Sequence, residues 1–156
     1  MSATIEHAPS QLSSGGIRWM RVIVAGILLE FALVAVLVPI GAIFGAPPGL
    51  GRNQTGNYAV FLTAVPVACF VLGYFAGWLV VRKISARFVA HGLLVGIVAT
   101  TFYLIMSSFN PQGGLPAAIA GYGTIHFWGT QILRIAGCTL GGVQHGRGLA
   151  PSSRPR

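Results

Sequence analysis

The apolar run at residues 22–44, VIVAGILLEFALVAVLVPIGAIF, is long enough to cross a lipid bilayer as one helix. Three further segments of comparable length follow, at residues 58–81, 88–106 and 117–142. In lipid, every backbone N–H and C=O group must be bonded within its own segment, so such runs predict spanning helices. The sequence therefore predicts an all-α fold, an integral membrane bundle of four helices.

Composition excludes a soluble globular domain. Hydrophobic residues make up 54% of the chain and charged residues only 8%, whereas a soluble domain carries roughly a quarter charged residues. At 156 residues the chain has room for one domain. We expect a four-span domain over residues 17–147, between a disordered polar tail at 1–16 and a disordered basic tail at 148–156.

The basic residues predict an orientation in the membrane. They flank the apolar runs without forming a face interleaved with aromatic side chains, so the net charge of +8 does not indicate a nucleic-acid partner. Lys and Arg favour the cytoplasmic side of a membrane, which predicts a multi-pass protein of the inner (plasma) membrane with both termini in the cytoplasm. The predicted cytoplasmic side carries Arg18, Arg21, Arg82, Lys83, Arg87, Arg147, Arg154 and Arg156, and the opposite side carries Arg52.

Glu30 and Arg134 are opposite charges placed inside apolar segments. Glu30 is one of only two acidic residues in the chain, and it lies about 12 Å into the first span from its cytoplasmic end. Arg134 lies about 13 Å into the fourth span from the same side. A buried pair costs far less than an isolated charge, so we expect the two to form an ion pair that fixes helix neighbours. Two alternatives stay open: Glu30 carries protons along a transport path, or it is protonated and faces a partner protein.

Among the other polar residues of the predicted spans, those singled out as candidates for intramembrane contacts are His91, His126, Thr130 and Gln131. His126, near the middle of the fourth span, could ligate a haem or chlorophyll metal through its imidazole. The sequence has no c-type haem attachment motif, and His91 lies at a different depth, so we favour a hydrogen bond to a neighbouring helix. We expect no cofactor and no metal site.

Pairs of glycines one helical turn apart recur in three of the spans. Such pairs create shallow grooves in which helix backbones can approach closely. All three pairs belong to the cytoplasmic halves of their spans, which predicts a tightly packed inner end. The pairs are Gly73 and Gly77, Gly92 and Gly96, and Gly137 and Gly141.

The segment GYFAGWLVVRKISARFVAHGLLVGIVATTFYL, followed by LRIAGCTLGGVQHGR, resembles a group of small four-span bacterial membrane proteins of unknown function. The resemblance covers residues 72–147 and rests on the glycine-rich helices, the short basic turn and the Gly-Gly ending. It implies the same topology and supplies no catalytic residues.

The sequence predicts a non-enzymatic role. It contains no nucleophile–base pair, no H-E-x-x-H motif and no paired carboxylates. Short loops and glycine faces favour a scaffold or accessory subunit that packs in the lipid bilayer against a second copy or a larger membrane complex. The alternative is a small proton- or ion-coupled transporter or channel in which Glu30, Arg134 and His126 line one hydrated cavity.

Overall fold

The computed structural model describes residues 16–45, 58–82, 84, 86–109 and 123–148. Within these ranges the chain forms four helices and no strand, which confirms the predicted all-α bundle. They are α1 (Trp19–Phe44), α2 (Tyr58–Val81), α3 (Phe88–Ser108) and α4 (Ile125–Gly148).

Three of these helices have the length and composition of membrane spans: Trp19–Phe44, Ala59–Val81 and Phe88–Ser108. Long apolar side chains such as Phe31, Leu79 and Ile97 are exposed on their outer surfaces, as lipid contact requires. The chain is therefore a membrane protein. Helix α4 carries more polar residues than the other three, and its crossing of the membrane stays a prediction.

Helix α4 continues beyond residue 142, the predicted end of the fourth span, as far as Gly148. Hydropathy falls at Gly141 and Gly142, but packing keeps the helix intact beyond them. A Cβ added at Gly142 would lie 2.6 Å from the Phe88 carbonyl oxygen, so the start of α3 passes directly over this part of α4. The His145 ring then stacks edge-on against Trp78 and Phe88, with ring centroids 6.4 and 6.1 Å away.

Several predicted segments lie outside the described residues. They are residues 1–15 of the polar tail, residues 149–156 of the basic tail, and residues 117–122 of the fourth apolar segment.

Helix α4 is the main packing partner of both α2 and α3. Helix α1 packs against α2 and α3 on the other side, and no close backbone approach joins α1 to α4 among the described residues. The four helices thus form a bundle with α1 and α4 at opposite corners. Helices α2 and α3 are also in contact with each other, but this is the smallest of the contacts between helices.

Glycines explain why α4 takes this position. A Cβ added at Gly77 or Gly92 would overlap the carbonyl oxygen of Cys138, and one added at Gly137 would overlap that of Phe70. Likewise, a Cβ at Gly141 would overlap the Tyr74 carbonyl. Backbones this close leave no room for any side chain, so the glycine faces of α2, α3 and α4 pack against one another.

The remaining glycines of the predicted pairs face the same interface. A Cβ at Gly73 would lie 2.9 Å from the carbonyl oxygen of Arg134, and one at Gly96 would lie 2.8 Å from the Cα of Ile135. All six predicted packing glycines are therefore used between helices of this chain.

Candidate functional site

A polar cluster in the centre of the bundle contains the two charges singled out in the sequence. Arg134 is 3% exposed and Glu30 is 7% exposed, and Arg134 Nη1 lies 2.6 Å from Glu30 Oε1. The N–H bonds of Nη1 are not directed at this oxygen, so the contact is an ion pair without a hydrogen bond. It joins α1 to α4 across the bundle diagonal.

The Arg134 guanidinium also contacts the two remaining helices. Its Nη2 donates to the sulfur of Cys69 on α2 at 3.6 Å, and its Cζ lies 5.4 Å from the ring centroid of Tyr103 on α3. A guanidinium over an aromatic face gains cation–π attraction, which is stronger where water is excluded. One side chain of α4 therefore contacts groups from α1, α2 and α3.

The hydrogen-bonding capacity of this guanidinium is only partly used. Arg134 Nε and Nη1 find no hydrogen-bond acceptor among the described residues. A buried cation is stable when an opposite charge balances it and when hydrogen-bond acceptors satisfy its N–H groups. The cluster therefore depends strongly on the Glu30 carboxylate, which supplies the balancing charge.

The sequence of α4 places Arg134 inward because its small and polar residues share one face. Thr130, Arg134, Gly137 and Gly141 follow one another at spacings of three or four residues and are all buried. The opposite face carries exposed apolar side chains, with Ile132 at 64% exposure. Helix α4 is thus polar toward the bundle interior and apolar outside, the reverse of a helix in a soluble protein.

A second interhelical contact lies near this cluster. The Thr100 hydroxyl on α3 donates to Gln131 Oε1 on α4 at 3.2 Å, and Gln131 is 3% exposed. Thr130, which adjoins Gln131, is also buried, but its hydroxyl donates to the His126 carbonyl of its own helix at 2.9 Å. Gln131 therefore links two helices, whereas Thr130 bonds within α4.

His91 lies apart from the cluster, nine residues before Thr100 and so about 14 Å away along α3. It is fully buried, and its Nε2 accepts the backbone N–H of Arg18 at 3.1 Å. Its Nδ1 lies 2.9 Å from the Arg87 carbonyl oxygen. Because Nε2 is an acceptor, the proton belongs on Nδ1, which donates to Arg87. His91 therefore ties the start of α1 to the start of α3.

His126 does not belong to the polar cluster. In the structure α4 begins at Ile125, and His126 is the second residue of the helix. The side chain is exposed, and it precedes Arg134 by eight residues, about 12 Å along the helix axis. The structure thus brings Glu30 and Arg134 together and leaves His126 outside.

Three side chains that contact Arg134 or Gln131 were not identified from the sequence as their partners: Cys69, Thr100 and Tyr103. A signal existed for two of them. Gly96, Thr100 and Tyr103 follow one another at spacings of four and three residues, which puts them on one face of α3 with a residue that packs against α4. Both thiols, Cys69 and Cys138, are free and buried.

Metal binding has no support in the described ranges, where no three His, Cys, Asp or Glu side chains are grouped closely enough to hold an ion. Comparison with family models, with curated proteins and with solved structures finds no match to this chain. The resemblance to small four-span bacterial membrane proteins therefore stays a prediction.

Proposed function

We propose that this chain is a non-enzymatic, multi-pass integral membrane protein that acts as a scaffold or accessory subunit. The contacts of Arg134 with groups on all three other helices carry this proposal. The buried charges are engaged in holding the bundle together, as expected of a structural element that fixes helix positions.

The proposed topology has four spans with both termini in the cytoplasm. The bond from Arg18 to His91 places the starts of α1 and α3 at one end of the bundle, and the contacts of His145 place the end of α4 there. Arg18, Arg82 and Arg147 therefore belong to the same end, which we call the basic end. A concentration of arginines at one end supports a cytoplasmic location for it.

The glycine faces are used inside the chain, so association with a second copy or a larger complex requires another surface. The outer face of α1 offers one, because Phe31, Val34 and Val38 are 62%, 55% and 63% exposed at helical spacing. We propose that this face contacts the partner.

Tryptophan substitution on two outer faces tests this proposal. The tagged protein would be purified from its native membrane in mild detergent, beside Val34→Trp and Val38→Trp variants. Tryptophan is tolerated against lipid but overfills a packed interface. We expect a partner at fixed stoichiometry that is lost from both α1 variants and retained by Ile132→Trp on the exposed face of α4. Purification as a lone monomer, or equal retention in all variants, would contradict the proposal.

The second candidate is a proton- or ion-coupled transporter, favoured by the unused hydrogen-bonding capacity of Arg134. It requires protons or ions to reach Glu30 from both sides of the membrane. Reconstitution in liposomes with an internal pH dye distinguishes the two functions. A scaffold gives the flux of empty liposomes, whereas a transporter gives a flux that Glu30→Gln abolishes.

A further inference from the structure

A lateral groove runs between α1 and α2, on the side of the bundle away from α4. Its volume is about 680 Å³, within the usual range of small-molecule sites, which is ~300–1,000 Å³. The walls are apolar along most of their length, with Leu28 and Ala32 on α1 facing Leu72 and Phe75 on α2. Leu28 is 60% exposed and Phe75 is 51% exposed, so the groove opens sideways, toward the lipid.

The lining of the groove also includes two cations, Arg21 from the first turns of α1 and Arg82 directly after α2. The Arg82 guanidinium lies over the Trp78 ring, with its Cζ 4.4 Å from the centroid, which holds the charge beside the groove. Both residues belong to the basic end of the bundle.

No acidic side chain is available to neutralise this pair of arginines among the described residues. The only carboxylate there is Glu30, and it is engaged by Arg134 in the bundle core. The two like charges beside one groove repel each other unless an anion joins them. Any anion that binds between them must therefore come from outside the described residues.

We propose that the groove binds one acidic phospholipid, with an acyl chain along the apolar walls and the phosphate between Arg21 and Arg82. Guanidinium groups suit phosphate oxygens because their N–H donors can bond in a fork-like arrangement. Basic pockets between helices at the cytoplasmic side of a membrane are known to select anionic headgroups. The lateral opening gives the lipid a direct entry from the bilayer.

Native mass spectrometry of the full chain released from nanodiscs measures this binding. The nanodiscs would contain phosphatidylglycerol and phosphatidylcholine with the same acyl chains in equal amounts. We expect one phosphatidylglycerol molecule to be retained preferentially. Arg21→Gln and Arg82→Gln should each lower that preference about five-fold, since a basic side chain near an anionic surface contributes about 1 kcal/mol.

The matched control is Arg147→Gln, which removes an exposed charge from the basic end without altering the groove lining. It should leave the preference unchanged. An equal loss in the Arg147 variant would show a diffuse charge effect and overturn the site, as would equal retention of the two lipids. The salt dependence needs no variant: a preference that does not weaken at high salt also contradicts the proposal.

The acyl-chain part of the proposal has its own variant, Ala32→Phe, which fills the groove and leaves both arginines in place. Loss of the retained lipid supports the proposed position of the chain, whereas full retention shows that only the headgroup is bound. A dimer in the mass spectrum that Ala32→Phe abolishes would assign the groove to a second copy instead.

Discussion

Arg134 on α4 lies 2.6 Å from Glu30 on α1, although the backbones of these two helices do not approach each other closely. The two side chains therefore meet in the centre of the bundle, between α2 and α3. Helix α1 has a close glycine contact with α3, at Gly26 against Val98, but none with α4 in the described ranges. The pair provides the direct link between α1 and α4 within the described residues.

The first prediction is energetic coupling between Glu30 and Arg134. Breaking a buried pair from one side leaves an uncompensated charge, so Glu30→Gln or Arg134→Met should each cost about 3–5 kcal/mol of folding stability. The double variant should cost much less than the sum of the two. Denaturant unfolding in detergent, followed by circular dichroism, measures all three losses.

A matched cycle with His126→Ala provides the control for this coupling. His126 is exposed and about 12 Å along the helix from Arg134, so its effect should add to that of Glu30→Gln within about 0.5 kcal/mol. Additive losses for Glu30→Gln and Arg134→Met would mean that the two charges do not support each other.

The sequence predicted the depth of these two charges but not their positions across the bundle. Residue spacing gives the position of a residue along the helix axis, because the rise per residue is constant. It does not say which helices are neighbours, and Glu30 and Arg134 were expected on adjacent helices rather than on a diagonal. For the same reason the sequence did not show that α4 is the main packing partner of both α2 and α3. A short turn fixes the direction of two helices but not their common partner.

Glycine spacing was more informative than hydropathy about α4. The pairs Gly73 with Gly77 and Gly137 with Gly141 indicated close backbone approach, which is where the structure packs α2 on α4. Hydropathy did not show that the helix begins at Ile125, next to His126, or that it continues to Gly148. Hydropathy measures the transfer of a side chain from water into lipid, whereas the polar face of α4 packs against other helices.

The second prediction concerns these glycine contacts. Gly77→Ala and Gly141→Ala should each destabilise the protein by about 1–3 kcal/mol, because the added methyl group overlaps a backbone carbonyl that cannot move without shifting a helix. Gly129→Ala is the matched control, since a Cβ there has nothing within 4 Å. It should be neutral or stabilising by up to about 1 kcal/mol, as alanine is the better helix former.

Thermal unfolding in detergent ranks these three variants. Equal stability of Gly77→Ala and Gly129→Ala would show that the close approach of α2 to Cys138 is absent in the folded protein.

The third prediction concerns the bond between His91 and Arg18. His91→Leu keeps an apolar side chain in the buried site but removes the acceptor of the Arg18 N–H, while the Arg87 carbonyl still accepts the backbone N–H of residue 91. Loss of this part-buried hydrogen bond should cost about 1 kcal/mol. Hydrogen exchange should show faster opening at the first turn of α1, with α4 unaffected. The control is His126→Ala, at an exposed position, which should change neither stability nor hydrogen exchange. If the amides of the first turn of α1 exchange as slowly in His91→Leu as in the unaltered protein, the His91–Arg18 bond does not hold that turn.

The last prediction is the topology. Single cysteines would be introduced as Ala86→Cys in the turn between α2 and α3, Thr124→Cys before α4, and Gln144→Cys near the end of α4. The native thiols of Cys69 and Cys138 are 1% and 0% exposed, so the unaltered protein should give little background with a membrane-impermeant maleimide.

On intact cells we expect labelling at position 124 alone, with positions 86 and 144 reached only after lysis, because the arginines favour the cytoplasmic side. Labelling of 124 and 144 from the same side would show that α4 does not cross the membrane, and a reversed pattern would keep four spans but invert the orientation. Since α4 is the least apolar helix, opposite labelling at its two ends would show that a polar helix crosses lipid when its charges are paired within the bundle.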